Sequence, residues 1–407
     1  MRRSTRTSGD TPTLIASFLH FDVCFMLWVL LGALGVFVAD GAGLNAAQKG
    51  LMVAIPVLTG SLMRLPLGLL SDRIGGRRVG VGMLMFLLMP LLMGWRLGSG
   101  VGTVFLLGAM LGVAGASFAV VLPLASRWYP PERQGLVMGI AAAGNSGTVI
   151  ANLLAPRLAV LVGWHNVFGL ALLPLLVVLV LFTLMAKDSP RVEPPRPLAH
   201  YTRVLMQEDT WWFCLLYCVT FGGYVGLSSF LPIFLRDHYH VTPVNAGLLT
   251  ALAAFVGSGV RPIGGYLADR LGGVPLLRGL LFAIAATYAT ASTLPPLTIM
   301  EVVLVLGMAC LGTGNGAVFQ LVPQRFRSEI GMATGIVGAV GGVGGFLLPT
   351  IMGQTKQATG SFGPGFMALA LAAGAALVAL HALAVGRTDW RFSWRLTPVS
   401  AAREELP

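Results

Sequence analysis

The sequence predicts an all-α membrane protein, twelve transmembrane helices arranged as two six-helix halves. Three observations predict it. Apolar types make up 56% of the 407 residues and charged types only 11%, more apolar surface than a water-soluble core of ordinary size needs. Apolar stretches of about 20 residues recur along the chain, each long enough to cross a ~30 Å hydrocarbon layer. Finally, RLPLGLLSDRIGG (64–76) returns as RPIGGYLADRLGG (261–273), so the chain repeats itself half-way along.

The apolar stretches fall at 14–39, 48–70, 79–97, 101–125, 135–161 and 165–186, then at 211–235, 244–268, 274–293, 298–321, 331–353 and 363–385. The first has a run too long, and no small-residue site convincing enough, for a cleaved signal. KDSPRVEPPRP opens the one long polar break, whose proline and charge mark a linker. The expected organisation is an N-terminal tail (1–13), a first bundle (14–186), a linker (187–210), a second bundle (211–386) and a C-terminal tail (387–407). GVAGASFAVVLP (112–123) echoes GTGNGAVFQLVP (312–323), and GIAAAGNSG (139–147) is answered by GIVGAVGGVGG (335–345). Parallel repeats with a site between them near the midplane are a transporter architecture.

Lys and Arg set the orientation. With both termini in the cytoplasm, twenty basic residues lie on that side, Arg133, Arg191, Arg196 and Arg327 among them, and five lie opposite: Lys49, Arg96, Arg157, Arg236 and Lys356. This follows the positive-inside rule. The net charge of +11 then belongs beside anionic lipid, and nucleic acid is not expected as a partner. The four cysteines, Cys24, Cys214, Cys218 and Cys310, all fall within spans without clustered His or carboxylate. They read as small apolar filler, and no cofactor or metal is expected. No nucleophile–base pattern suggests an enzyme.

The repeated motif holds two kinds of residue. Gly68, Asp72, Arg73 and their counterparts Gly265, Asp269, Arg270 end a span, where glycine permits a tight turn and the charges meet helix ends that slide during gating. Arg64 and Arg261 are different. Eight residues of helix before the aspartate is ~12 Å, which puts each near the centre of the bilayer. An arginine there costs ~2.5–3.5 kcal/mol even on the lenient scale, so it faces an interior cavity and has a partner. The acidic residues within the spans are Asp22 and Glu301; Glu301 is close to a span end, and one Asp22 does not neutralise two arginines. Pairing with Asp22 is the alternative, but an anionic cargo held from two sides is the simpler counter-charge. Glycines leave room for a small site: Gly139, Gly144 and Gly147 around Asn145, and Gly335, Gly338, Gly341, Gly342, Gly344 and Gly345 on the eleventh span. Glycine also serves close helix packing, while Asn145 adds an amide donor. Two guanidinium forks suit a compact, planar, weakly hydrated oxyanion.

RLPLGLLSDRIGGRR, AGNSG, GSGVRPIGGYLADRLGG and GIVGAVGGVGGFLLP resemble the nitrate/nitrite porter family of the major facilitator superfamily, from about Phe18 to Gly353. The Asp-Arg-Gly-Gly turn marks only the superfamily; the two glycine helices with two buried arginines are specific. The resemblance implies that Arg64 and Arg261 hold nitrate or nitrite, that Asn145 assists, and that Gly144, Gly147, Gly341, Gly342 and Gly344 form a tight moving interface beside it. It also implies an aromatic sandwich, for which Phe118 and Tyr224 or Phe230 are the candidates, although TFGGYVGLSSF departs from the exchanger branch. SFLHFD (17–22) is nearer the bacterial assimilatory branch. Expected with it are a multi-pass protein of the bacterial cytoplasmic membrane, working as a monomer by alternating access. Proton coupling, where present, falls to Asp22 or His20. A carrier of another small or organic anion would share the arginines but need a roomier site.

Overall fold

A computed structural model describes residues 9–97, 100–129, 137, 140–141, 143–189, 203–326 and 330–393. Most of the expected linker and both tails, together with Gly139, Arg133, Arg191, Arg196 and Arg327, lie outside the described residues. Among the described residues, twelve helices are long and apolar enough to cross a membrane: α1 (Thr11–Trp28), α2 (Ala46–Ile74), α3 (Gly76–Arg96), α4 (Val101–Ser126), α5 (Gly144–Val162), α6 (Trp164–Met185), α7 (Glu208–Tyr239), α8 (Pro243–Leu271), α9 (Gly273–Ser292), α10 (Leu297–Arg325), α11 (Met332–Thr359) and α12 (Gly363–Gly386). A short helix, α13 (Thr388–Arg391), follows. The protein is an all-α, multi-pass membrane protein of two six-helix halves.

Local chemistry sets the helix starts. Asp10 caps α1 by accepting the Thr13 N–H at 3.0 Å. Asn45 and Gln48 exchange side-chain to backbone hydrogen bonds of 2.9 and 3.0 Å at the head of α2, a reciprocal cap that satisfies two otherwise orphaned donors. The repeated Gly-Gly pairs end α2 and α8 alike. Gly75 has φ +99 and Gly272 φ +94, a backbone open to glycine and strained for other residues. This is the physical content of the repeat.

Irregular backbone recurs within the spans. The first apolar stretch is not one helix: after Trp28 it continues as Leu30–Ala33 and Gly35–Ala42. α4 tightens to a 3₁₀ turn at Val113–Ala116 and α5 opens in one at Ala143–Ser146. α7 widens to a π turn at Cys218–Gly222. α8 slackens at Val260, just before Arg261 and Pro262, because proline lacks the N–H that would continue the ladder. Such backbone is tolerated within a bilayer only where protein or a cavity surrounds it.

The two halves meet along glycine seams, concentrated toward the end remote from the termini. A Cβ on Gly50 would strike the Pro349 carbonyl of α11, and one on Gly353 would come within 2.6 Å of the Ala46 carbonyl of α2. Further along the same seam Gly345 faces Val57 at 2.8 Å and Gly342 is in contact with Ser61. Gly32 lies against Ser229 of α7, and Gly247 of α8 against Asn152 and Pro156 of α5. Lys49 and Asp237 form an ion pair of 2.9 Å between the halves at that end. Toward the termini α11 draws clear, and a Cβ on Gly335 would meet nothing within 4 Å.

Candidate functional site

Arg64 of α2 is buried among the helices, 3% exposed. Its Nε donates to the Gly115 carbonyl of α4 at 3.2 Å. Its Nη1 donates to the Gly338 carbonyl of α11, so one guanidinium ties the two halves together. Its Nη2 is buried with no hydrogen-bond partner among the described residues. A buried unmade donor costs ~1–3 kcal/mol, more for a charged one. Glycine matters on both sides of this side chain. A Cβ on Gly115 would enter the Trp28 ring, and Gly338 leaves Arg64 Nη1 3.6 Å from the place of its missing Cβ.

Arg261 starts the lower segment of α8, on the other half, and is partly buried. Phe221 lies between the two cations: its ring centroid is 5.0 Å from the Arg64 guanidinium and 5.7 Å from that of Arg261. Trp28 and Phe118 each lie 5.6 Å from Arg64. Tyr224 lies 5.7 Å from Arg261, with its hydroxyl against Ser258 Oγ at 2.6 Å. The Tyr217 hydroxyl reaches Arg261, while its ring stacks on Phe221 with centroids 4.8 Å apart. Phe319 closes the box, 4.9 Å from Tyr217 and 6.0 Å from Phe118 across the halves. Among the described residues neither arginine has a carboxylate partner. Two cations amid aromatic faces and donors form a setting for a small flat anion.

The structure brings Arg64, Arg261, Phe118 and Tyr224 together. Phe230 does not join them: it packs on Phe362, 5.9 Å away. Asp22 accepts a hydrogen bond from Ser146 Oγ at 2.5 Å and balances neither arginine. His20 faces the Gly80 carbonyl at 3.1 Å and packs on Phe182 within its own half. Asn145 is 4% exposed and its Oδ1 has no partner among the described residues. The named glycines divide by partner. Gly144 and Gly147 press on the backbone of α1 around Asp22; Gly341 abuts the Tyr217 ring and Gly344 the Cys218 backbone; Gly342 reaches across to Ser61.

In the repeated turns, Asp72 pairs with Arg127 at 2.5 Å. Asp269 accepts from Gln320 Nε2 at 2.7 Å, and Arg270 lies over Tyr266. Gly68 and Gly265 have room for a Cβ; the tight contacts fall on Gly60, against Gly112, and on Gly264, against Thr313. Arg73 lies at the exposed end of α2. Trp28, Tyr217, Phe221 and Phe319 are residues that motif reading missed. A signal existed for two of them: 217, 221 and 224 are spaced four and three apart, one face of a helix.

Residues 16–349 match the family model described as Major Facilitator Superfamily. The chain is 34% identical over 355 residues to the "Nitrite extrusion protein" of Bacillus subtilis (strain 168), covering 87% of this chain and 89% of that one. It is 33% identical over 359 residues to the "Probable nitrate transporter NarT" of Staphylococcus carnosus (strain TM300), covering 88% and 92%. It is 32% identical over 398 residues to the "Probable nitrate/nitrite antiporter NarK1" of Thermus thermophilus, covering 90% and 89%. The crystal structure of a bacterial homolog to the human lysosomal transporter Spinster matches with a TM-score of 0.65 at 19% identity, over 94% of this chain and 96% of that one. That likeness is one of fold.

Proposed function

The chain belongs to the nitrate/nitrite porter family of the Major Facilitator Superfamily, and from that premise we propose that it carries nitrate or nitrite across a bacterial inner membrane. The anion is held at mid-depth between Arg64 and Arg261, against Phe221. The single observation that carries this reading is the pair of guanidiniums facing one ring from opposite halves, with no carboxylate partner among the described residues. A planar anion accepts from both forks while the aromatic walls exclude water, which strengthens each charge-assisted hydrogen bond. Asn145 lends a further amide, and Asp22 is the group that exchanges a proton in any coupled mode.

Alternating access follows from the seams. Positive-inside reading puts both termini in the cytoplasm, so the close-packed end faces outward. Opening it requires the Gly342–Ser61 contact and the Arg64–Gly338 hydrogen bond to part, and a bound anion offers the released guanidinium a new acceptor. One monomer contains every part of this cycle.

Lysine keeps the charge and loses the planar fork. Arg64→Lys and Arg261→Lys should each fold and insert yet bind nitrate roughly ten- to a hundred-fold more weakly, the loss of one charge-assisted hydrogen bond of ~1.5–3 kcal/mol. Calorimetry on purified protein reads this, with nitrite as competitor and organic acids as non-competitors. Wild-type affinity in both variants would refute the clamp.

A further inference from the structure

A second pair of arginines lies far from the transport site. At the termini end of the second half, Arg278 of α9 and Arg391 of α13 line a cavity of about 310 Å³ whose other walls are Val274, Pro275, Ala384 and Val385. No carboxylate lines it, and neither arginine has an acidic partner among the described residues. Arg391 is held there by its neighbours. Trp390 is fully buried, stacks on Phe213 at 5.0 Å and donates to Asp209 at 3.0 Å. Ser393 Oγ accepts the Val274 N–H at 3.2 Å, at the head of α9. The segment after α12 is thus folded back so that an otherwise solvent-bound arginine borders the cavity.

The surface leading away is apolar. Leu371, Val378 and Val385 are 67%, 68% and 71% exposed; spaced by seven, they form one stripe along α12. Phe282, one turn beyond Arg278 on α9, is 66% exposed. From 371 to 385 the stripe runs ~21 Å, longer than one leaflet of a ~30 Å hydrocarbon layer.

We propose that this cavity binds an anionic phospholipid, with the phosphate between Arg278 and Arg391 and the acyl chains along the α12 stripe. Two cations without an acid fit a phosphate, and juxtamembrane basic residues attract anionic headgroups. The lipid-facing stripe decides between a phospholipid and a soluble phosphate ester, since only the lipid occupies both parts. The site does not depend on what the carrier transports.

The test is native mass spectrometry of the full chain, purified and offered equal phosphatidylglycerol and phosphatidylcholine. The wild type should retain phosphatidylglycerol selectively. Arg278→Gln/Arg391→Gln should retain it about thirty-fold less, the fold-change that corresponds to ~1 kcal/mol of attraction for each of the two lost charges. Arg278→Lys/Arg391→Lys should keep it, because lysine also binds phosphate as a point charge. Arg96→Gln/Arg236→Gln, which removes two charges at the opposite end, should leave it unchanged. Should the double glutamine variant fail to fold, each single variant should still lose several-fold. Equal retention of both lipids by the wild type, or undiminished retention by the glutamine variants, would overturn the proposal. So would displacement of the lipid by glycerol phosphate, which would mark a soluble phosphate site.

Discussion

Arg64 and Arg261 hold matching places in the repeat, yet their surroundings differ. α2 runs through Arg64 as unbroken helix, and the guanidinium there divides its donors between Gly115 of its own half and Gly338 of the other. α8 breaks just before Arg261, whose neighbours Tyr217, Phe221 and Tyr224 all belong to α7 of its own half. Separating the halves therefore changes what Arg64 touches and leaves the company of Arg261 intact. A sequence repeat fixes position and charge; the docking of the halves decides which copy bonds across them.

The strongest way to break this comparison is to pry the halves apart at one glycine. Gly342→Leu drives a side chain into Ser61, one turn from Gly338, and overpacking of this kind costs ~1–3 kcal/mol or more. Nitrate transport into proteoliposomes should fall roughly a hundred-fold while protein level holds. Gly144→Leu clashes with α1 inside one half, so there the protein level itself should fall. Normal transport by Gly342→Leu would remove the cross-half role given to Arg64.

The next effect sharpens the shared ring. Phe221 touches both cations, whereas Phe118 touches one. With ~0.5–2 kcal/mol for each cation–π contact, Phe221→Leu should weaken nitrate binding about tenfold and Phe118→Leu only a few-fold. Equal losses by calorimetry would mean that the two arginines do not share one site.

The smallest effect belongs to the ion pair between Lys49 and Asp237, whose side chains are 18% and 22% exposed. Such partly solvated pairs contribute ~0–1 kcal/mol. Asp237→Asn should shift the balance of open and closed states at the remote end by no more than about fivefold, read from distances between spin labels on α2 and α7. A larger shift would make that pair, rather than Arg64, the main tie between the halves.

Much of this was legible in the residues. Twelve apolar stretches, the matching places of two arginines in the repeat and the paired Gly-Gly turns follow from length, spacing and backbone freedom. The aromatic box was harder to read. Phe230 looks as suitable as Phe221 in a list of α7 residues, but six positions from Tyr224 is about 240° round a helix, on a different face. The π turn at Cys218–Gly222 further alters the facing of that segment, and nothing in its composition announces it. Glycine faces were equally opaque. A residue without a side chain carries no hydrophobic pattern, so Gly144 and Gly342 read alike although one packs within a half and the other between halves.

The midplane depth proposed for Arg64 and Arg261 has an electrical consequence. In the proposed alternating access, each half carries one fixed charge at the pivot, and a rocking motion about that depth moves neither far along the membrane field. The voltage then acts almost wholly on the travelling anion, at ~2.3 kcal/mol per unit charge for each 100 mV. Net entry of a lone monovalent anion opposes an inside-negative potential by that amount, whereas one-for-one exchange of nitrate and nitrite crosses it without current.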